Sequence, residues 1–220
     1  RVCMSEIDWK AVSCFRQRSR QNFARANFAY THTLELLLDR LKIMHVSSEA
    51  VLLCGVNDTS SNLVLRTFVA ENSLTIIEDQ NELSSLSGVS FDVVLINFIF
   101  SVSDIETVFS DLLARLKPGG VLLFSILGSQ SFRELKQAFG PLYLNHVCSF
   151  YDMHDVGDAL YRQHFDAPVM ENIPLTVRYS SVANVFRDLR YCGAQNPLVQ
   201  RPRHLMGKDF WARVQSRYPR

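Results

Sequence analysis

Hydrophobic residues fall along this chain in two rhythms that alternate. From Phe91 to Ile96 (FDVVLI) they run almost unbroken and are largely β-branched, the pattern of a strand covered on both faces. Ile105, Val108, Phe109, Leu112, Leu113 and Leu116 then recur at helical spacing, with Asp104 placed to cap the helix. Pro118-Gly119-Gly120 is expected to stop that helix, and Val121–Ile126 to form a second buried strand. Two buried strands joined by a helical crossover make a right-handed parallel unit. The centre of the chain therefore predicts an α/β fold with a mostly parallel sheet.

The same reading extends in both directions. Ala50–Gly55 (AVLLCG) predicts the first central strand, Asn62–Ala70 the helix after it, and Leu74–Ile77 (LTII) the next strand. Upstream, Ile7–Phe15 and Leu34–Leu41 predict helices. Downstream, helices are expected over Ser131–Phe139, with Arg133 and Lys136 on its polar side, over Asp155–Phe165, and over Ser181–Tyr191, ended by Gly193. Pro168–Tyr179 is expected to contain a strand. One domain results: an N-terminal helical lid over residues 1–45, a cofactor half over 46–127 and a substrate-side half over 128–220.

Composition supports one globular domain, since 220 residues at 47% hydrophobic can bury a full core. No run approaches the roughly 18 apolar residues of a membrane span, and the N-terminus shows no signal-peptide hydrophobic region. Cys3, Cys14, Cys54, Cys148 and Cys192 are scattered, odd in number and without a CxxC pair, so they read as reduced cytoplasmic thiols. No histidine or cysteine spacing suggests a metal. Net charge is +1, but it is segregated. Residues 1–42 hold 8 basic and 4 acidic side chains, residues 187–220 hold 8 and 2, and residues 43–186 hold 7 and 16. Basic ends around an acidic middle suggest a face for an anionic partner; solvated arginine-rich helices are the plain alternative. Arg16, Arg18, Arg20 and Arg25 interleave with Phe15, Phe23, Phe28 and Tyr30. Without a nucleic-acid-binding motif, a lid over a pocket is a better reading than nucleic-acid binding.

Chemistry is expected beyond the carboxyl ends of the parallel strands, at the switch in strand order. After the first strand come Cys54, Gly55 and Asn57, in a loop with one glycine where nucleotide-binding loops usually carry more. Glu78 ends the second strand with Asp79 as the neighbouring candidate, and a planar acceptor there suits a diol donor; a solvated strand-end acid is the plain alternative. Asn97 and Phe98 end the strand Phe91–Ile96. Asp152, His154 and Asp155 look like a catalytic cluster, but Asp and His around a helix start mostly cap and orient.

FDVV…N, a helix, then LKPGG and a hydrophobic strand resemble the fourth and fifth strands of class I S-adenosylmethionine (SAM)-dependent methyltransferases. Asp152–Leu160 (DMHDVGDAL), the PVM after it, and Asp188–Asn196 (DLRYCGAQN) narrow the likeness to BioC-type malonyl-acyl-carrier-protein O-methyltransferases of biotin synthesis. The resemblance implies a Rossmann-like three-layer sandwich. It also implies methylation of the free carboxyl of malonyl-acyl carrier protein, with SAM as cofactor and an acyl carrier protein, or malonyl-CoA, as partner. Cys54, Gly55, Asn57, Glu78, Asp79, Asn97 and Phe98 fall at its cofactor positions; Arg133, Arg178 and His154 are candidates for the substrate carboxylate, and no residue is singled out as catalytic.

Three departures accompany the likeness. The loop after Cys54 is poor in glycine, the stretch Asn81–Ser90 is too short and polar for the family's next helix and strand, and no strand of the form TYEV follows the last helix. The sheet is therefore expected to have fewer strands, with Leu74–Ile77 serving as either its second or its third, and the missing last strand to mean an exposed edge, a rearranged sheet or a truncated chain. Where relatives place a glutamine near the cofactor, this chain has Thr31 to Thr33. Two functions follow: the methyltransferase itself, or an inactive relative that has lost SAM binding and acts through protein–protein contacts.

Overall fold

The computed structural model describes residues 7–55, 65, 68–69, 73–78, 80–98 and 105–218. Their packing forms two compact units, one of Arg1–Ala26, Gly128–Asp152 and Glu171–Arg220, the other of Asn27–Leu127 and Met153–Met170. The expected cap Asp104, the loop residue Asn57, the strand-end Asp79 and most of the helix expected over Asn62–Ala70 lie outside the described residues.

The second unit holds a parallel sheet of four strands: β1 (Val51–Cys54), β2 (Leu74–Ile77), β3 (Phe91–Ile96) and β4 (Leu116–Phe124), in the order β2-β1-β3-β4. LTII pairs directly with β1, which settles it as the second strand of the usual plan; among the described residues no strand lies beyond it. Gln80–Leu86 closes the gap to β3 as a 3-10 helix. Val51, Leu53, Val93 and Leu95 share one sheet face and pack on Leu34, Leu37 and Leu38 of α2 (Phe28–Met44). The alternate face carries Phe124 against Phe109 of α3 (Ile105–Leu113), and Phe109 also meets Phe165 edge-on, beyond α5 (Met153–Arg162). Helix, sheet and helix make the three layers. β1 and β3 are central and nearly inaccessible, which is why their apolar runs are continuous rather than alternating.

The PGG segment behaves differently from the sequence expectation. The helix ends at Leu113, and Leu116 is not its last apolar position but the first residue of β4, opposite Phe91. Lys117–Gly120 then form an irregularity within β4, because Phe91 pairs with Leu116 while Val93 already pairs with Val121. Proline lacks an N–H, so an edge strand or a bulge is where a sheet accepts it. Among the described residues β4 is an edge, Pro118 and Gly119 are exposed, and Val121–Phe124 are half-buried rather than buried as expected for Val121–Ile126. Asp92 ties the irregularity down: its carboxylate accepts from Lys117 Nζ and from the Ala50 amide, both at 2.9 Å. The Lys117 bond leads in holding the Asp92 carboxyl below its usual range. A Cβ at Gly120 would stand 2.9 Å from the Lys117 carbonyl oxygen and 3.1 Å from that of Asp92. Gly120→Ala is expected to cost about 1–3 kcal/mol, because backbone rather than a flexible side chain must give way. A urea midpoint equal to that of the parent would contradict it.

The first unit contains α1 (Trp9–Ser19), α4 (Arg133–Phe139), α6 (Val182–Tyr191) and α7 (Lys208–Arg217). Leu135, Ala138, Phe139, Val182, Phe210 and Val214 form its core, with Phe139 and Phe210 stacked at 6.0 Å. Asp8 caps α1 by accepting from the Ala11 amide at 3.0 Å, and its other oxygen holds Arg201 at 2.9 Å and Arg203 at 3.5 Å. Gly193 ends α6 in the left-handed region (φ +68°), and a Cβ there would meet Ser19 Oγ at 3.0 Å and Arg16 Cα at 3.3 Å. Glycine is required at that junction for both conformation and space.

Pro168–Tyr179 forms no strand. Ile173, Leu175 and Val177 alternate as a strand would, yet remain 45%, 47% and 39% exposed. Alternation specifies a face, not a neighbour, and a strand cannot satisfy its backbone without one; Pro174 removes a donor besides.

The first unit also buries thiols. Burial raises the Cys148 thiol to about 11, against the opposing pull of Lys136, and raises Cys192 to about 12, with Asp188 adding to the effect. Tyr179 is likewise pushed up to about 12, first by burial and then by Asp188. In each case the folded protein holds the proton more tightly than the unfolded chain. Their contribution is therefore complete below about pH 9 and is lost as the pH climbs through 11 to 12. Denaturant midpoints should be level between pH 7 and 8.5 and fall above pH 9.5; a flat profile to pH 11 would refute this.

Candidate functional site

The candidate site is the carboxyl end of the sheet in the second unit. Cys54 lies opposite Ile77 on one side and Ile96 on the other, so the residues that follow, Gly55, Glu78 and Asn97, leave the sheet side by side. Two bonds hold that edge: the Gly55 amide donates to the Ile77 carbonyl and the Asn97 amide to the Cys54 carbonyl, each at 3.0 Å. A Cβ on Gly55 would stand 3.3 Å from the Asn97 carbonyl oxygen, so the chain passes β3 closely as it turns away. The switch in strand order falls here, since β2 lies to one side of β1 and β3 to the other.

Asn97 is buried, 6% exposed, and both ends of its amide are hydrogen-bonded. Nδ2 donates to the Tyr30 carbonyl at 2.8 Å, while Oδ1 accepts from Thr33 Oγ1 at 2.7 Å and Ser125 Oγ at 3.0 Å. Ser125 Oγ in turn accepts from the Phe98 amide at 2.8 Å. Phe98 stands in the left-handed region (φ +59°) with its ring edge-on to Tyr30 at 4.9 Å. Helix α2, the end of β3 and the end of β4 are thus joined through one buried amide. Asn97 serves as the fastener of the site rather than as a free hydrogen-bonding wall. Thr33 and Ser125 complete it. The sequence signal for Thr33 was the change of residue type in the lid, and nothing marked Ser125, an ordinary serine after a strand.

The Cys54 side chain is buried in the sheet, 5% exposed. Glu78 is half-buried, and its amide donates to Glu82 Oε1 at 3.1 Å, so a second carboxylate steadies the strand end. Arg133 is exposed and meets the adjacent Glu134 at 3.3 Å. Arg178 lies on the exposed stretch and His154 on the first turn of α5, also exposed. Asp152 accepts from Ser129 Oγ at 3.2 Å. Among the described residues no group of three His, Cys, Asp or Glu could hold a metal ion, and no helix is long and apolar enough to cross a membrane.

A parallel sheet with this strand order, helices on both faces, a glycine bend after β1 and an acid ending β2 defines a reduced, Rossmann-like α/β fold of the class I methyltransferase kind. The chain is 31% identical over 242 residues to the malonyl-[acyl-carrier protein] O-methyltransferase of Methylovorus sp. (strain MP688), an alignment covering 92% of this chain and 81% of that protein. It therefore belongs to the malonyl-[acyl-carrier protein] O-methyltransferase family. It is also 41% identical over 130 residues to malonyl-[acyl-carrier protein] O-methyltransferase 1 of Coxiella burnetii, covering 59% of this chain and 46% of that one. With the Laribacter hongkongensis protein of the same name it shares 35% identity over 158 residues, covering 71% and 53%. The chain spans about half the length of these last two relatives. No family model matches it. Among solved structures, Haemonchus contortus phosphoethanolamine N-methyltransferase 2 covers 50% of the chain at 15% identity and a TM-score of 0.35, too loose a match to bear on the fold. The relatives all bear the name of an enzyme, and they lend the inactive reading no support.

Proposed function

We propose that the chain is a SAM-dependent O-methyltransferase that esterifies the free carboxyl of malonyl-acyl carrier protein, the step the family resemblance connects with biotin synthesis. Kinship across 92% of the chain carries this reading, and the side-by-side exit of Gly55, Glu78 and Asn97 supplies a matching site. The residues present suit the cofactor: a carboxylate at the end of β2 can accept both ribose hydroxyls, and the Gly55 bend leaves backbone beside it. When bound, SAM supplies an electrophilic methyl on a sulfonium. Glu78 would hold the ribose, Gly55 would let the nucleoside approach the sheet, and Asn97 would keep α2 and β3 fixed around it.

The malonyl carboxylate is ionised near neutral pH, so no general base is needed. On taking that methyl the carboxylate would give up its charge as the ester, with no proton to move, so the surrounding residues have only to hold and orient it. The protein's part is alignment, which can supply much of the acceleration. Arg178, exposed and without an ion pair among the described residues, has the fork that suits a carboxylate; Arg133 and His154 are the further substrate-side candidates. Calorimetry with S-adenosylhomocysteine should give micromolar binding, and the chain should restore growth to a biotin-requiring strain lacking the methyltransferase. Absence of heat at millimolar ligand together with failed complementation would return the inactive reading.

A further inference from the structure

The segregated charge of the sequence becomes sharper when it is assigned to the compact units. The unit built from Arg1–Ala26, Gly128–Asp152 and Glu171–Arg220 holds 17 basic and 7 acidic side chains, a net +10. The unit that carries the cofactor site holds 6 and 15, a net −9. Opposite charges therefore occupy different bodies of the protein instead of neutralising one another within each.

Within the basic unit the arginines are not equivalent. Arg201 is only 18% exposed and is committed to Asp8, with Arg203 on the same carboxylate; both hold the start of α1 in place. The junction of α1, the 3-10 turn Phe23–Arg25 and the end of α6 is different. Gly193 touches Ser19 and Arg16, and Cys192 Sγ donates to the Ala26 carbonyl at 2.9 Å, so three chain segments converge there. Arg18, Arg25 and Arg190 each lie within three residues of those contacts, all exposed, and none has an ion pair among the described residues. From Trp9 to Leu34 the chain contains no acid at all, and Asp188, the acid of α6, is taken by Arg187 at 3.1 Å. Arginines left without ion pairs where three segments converge raise the free energy of the isolated protein and are relieved by an anionic surface.

We propose that this junction is the docking surface for an acidic protein, and specifically, on the functional reading above, for the acyl carrier protein that bears the malonyl group. Nucleic acid fits less well, because Phe15 and Phe23, the aromatics of this unit that interleave with its arginines, offer no stacking platform. Phe23 is 3% exposed, and Phe15 carries the Arg201 guanidinium 5.8 Å from its ring centre. The surface belongs to the basic unit and the cofactor carboxylate to the acidic one, so carrier docking and cofactor binding are separable.

The test measures binding of malonyl-loaded acyl carrier protein and of S-adenosylhomocysteine to the full chain and to the triple variant Arg18→Glu, Arg25→Glu, Arg190→Glu. A charge-matched control carries Lys208→Glu, Arg213→Glu and Arg217→Glu on α7. The junction triple should lose at least tenfold in carrier affinity, and the loss should shrink as salt is raised from 50 to 300 mM. Its S-adenosylhomocysteine affinity and turnover of malonyl-CoA should be unchanged. If charge reversal prevents folding, the Gln triple should show a smaller loss in the same direction. Equal losses from the junction and the α7 triple, an undiminished carrier affinity in the junction triple, or tighter binding of a duplex DNA probe than of the carrier would overturn the proposal. A parent chain that binds S-adenosylhomocysteine but no carrier would instead bring down the substrate assignment.

Discussion

Glu78→Ala is expected to weaken S-adenosylhomocysteine binding about a hundredfold while moving the thermal midpoint by no more than a degree or two. A carboxylate accepting two ribose hydroxyls makes two charge-assisted hydrogen bonds, each contributing about 1.5–3 kcal/mol; a net loss of about 2.7 kcal/mol corresponds to that hundredfold. Glu82 is poorly placed to substitute, because its Oε1 already accepts from the Glu78 amide. Glu78→Gln keeps one good acceptor and should lose about tenfold. The side chain is half-buried at a strand end, so removing it leaves no cavity, and folding is expected to stay intact. Calorimetric affinity within threefold of the parent would move the ribose elsewhere.

Asn97→Leu is expected to lower the unfolding free energy by about 1–3 kcal/mol. Leucine has the same number of side-chain heavy atoms, but its methyls cannot sit at hydrogen-bond distance from three oxygens, so the loss is both polar and steric. The amide serves Tyr30, Thr33 and Ser125 at once, but the partners are unequal in what they forfeit. Thr33 Oγ1 already reaches the Ala29 and Tyr30 carbonyls at 2.9 and 3.2 Å and can donate there instead. Ser125 Oγ keeps the Phe98 amide. What remains uncompensated is close to one buried group, which sets the range. The same change should loosen the Phe98 turn, so cofactor affinity should fall with stability. Thr33→Val, which removes one of the two bonds to Oδ1, should show a smaller loss of the same kind. A urea denaturation series checks all of this, and an Asn97→Leu protein as stable as the parent would show the amide to be incidental.

The central α/β reading was legible because burial on both sides leaves a strand no polar positions, and FDVVLI and AVLLCG have almost none. The loss of a strand was legible too, from the length and polarity of Asn81–Ser90. The two misreadings share a cause. Leu116 and the PGG segment obey helix-ending rules locally, yet pairing with Phe91 and the Asp92–Lys117 bond draw them into the sheet edge. Ile173, Leu175 and Val177 obey strand periodicity but meet no strand.

The site divides along the same line. By itself the sequence determined the layered α/β core, the family, and the placing of a glycine, an acid and an asparagine at successive strand ends, because each depends on residues close together in the chain. The tertiary structure alone decided that Asn97 is a fastener held by Thr33 and Ser125, residues 64 and 28 positions away. It alone separated the arginines that brace Asp8 from those left uncompensated near Gly193. Hydrogen bonding and charge compensation depend on which distant groups meet, and periodicity along a chain carries no record of that.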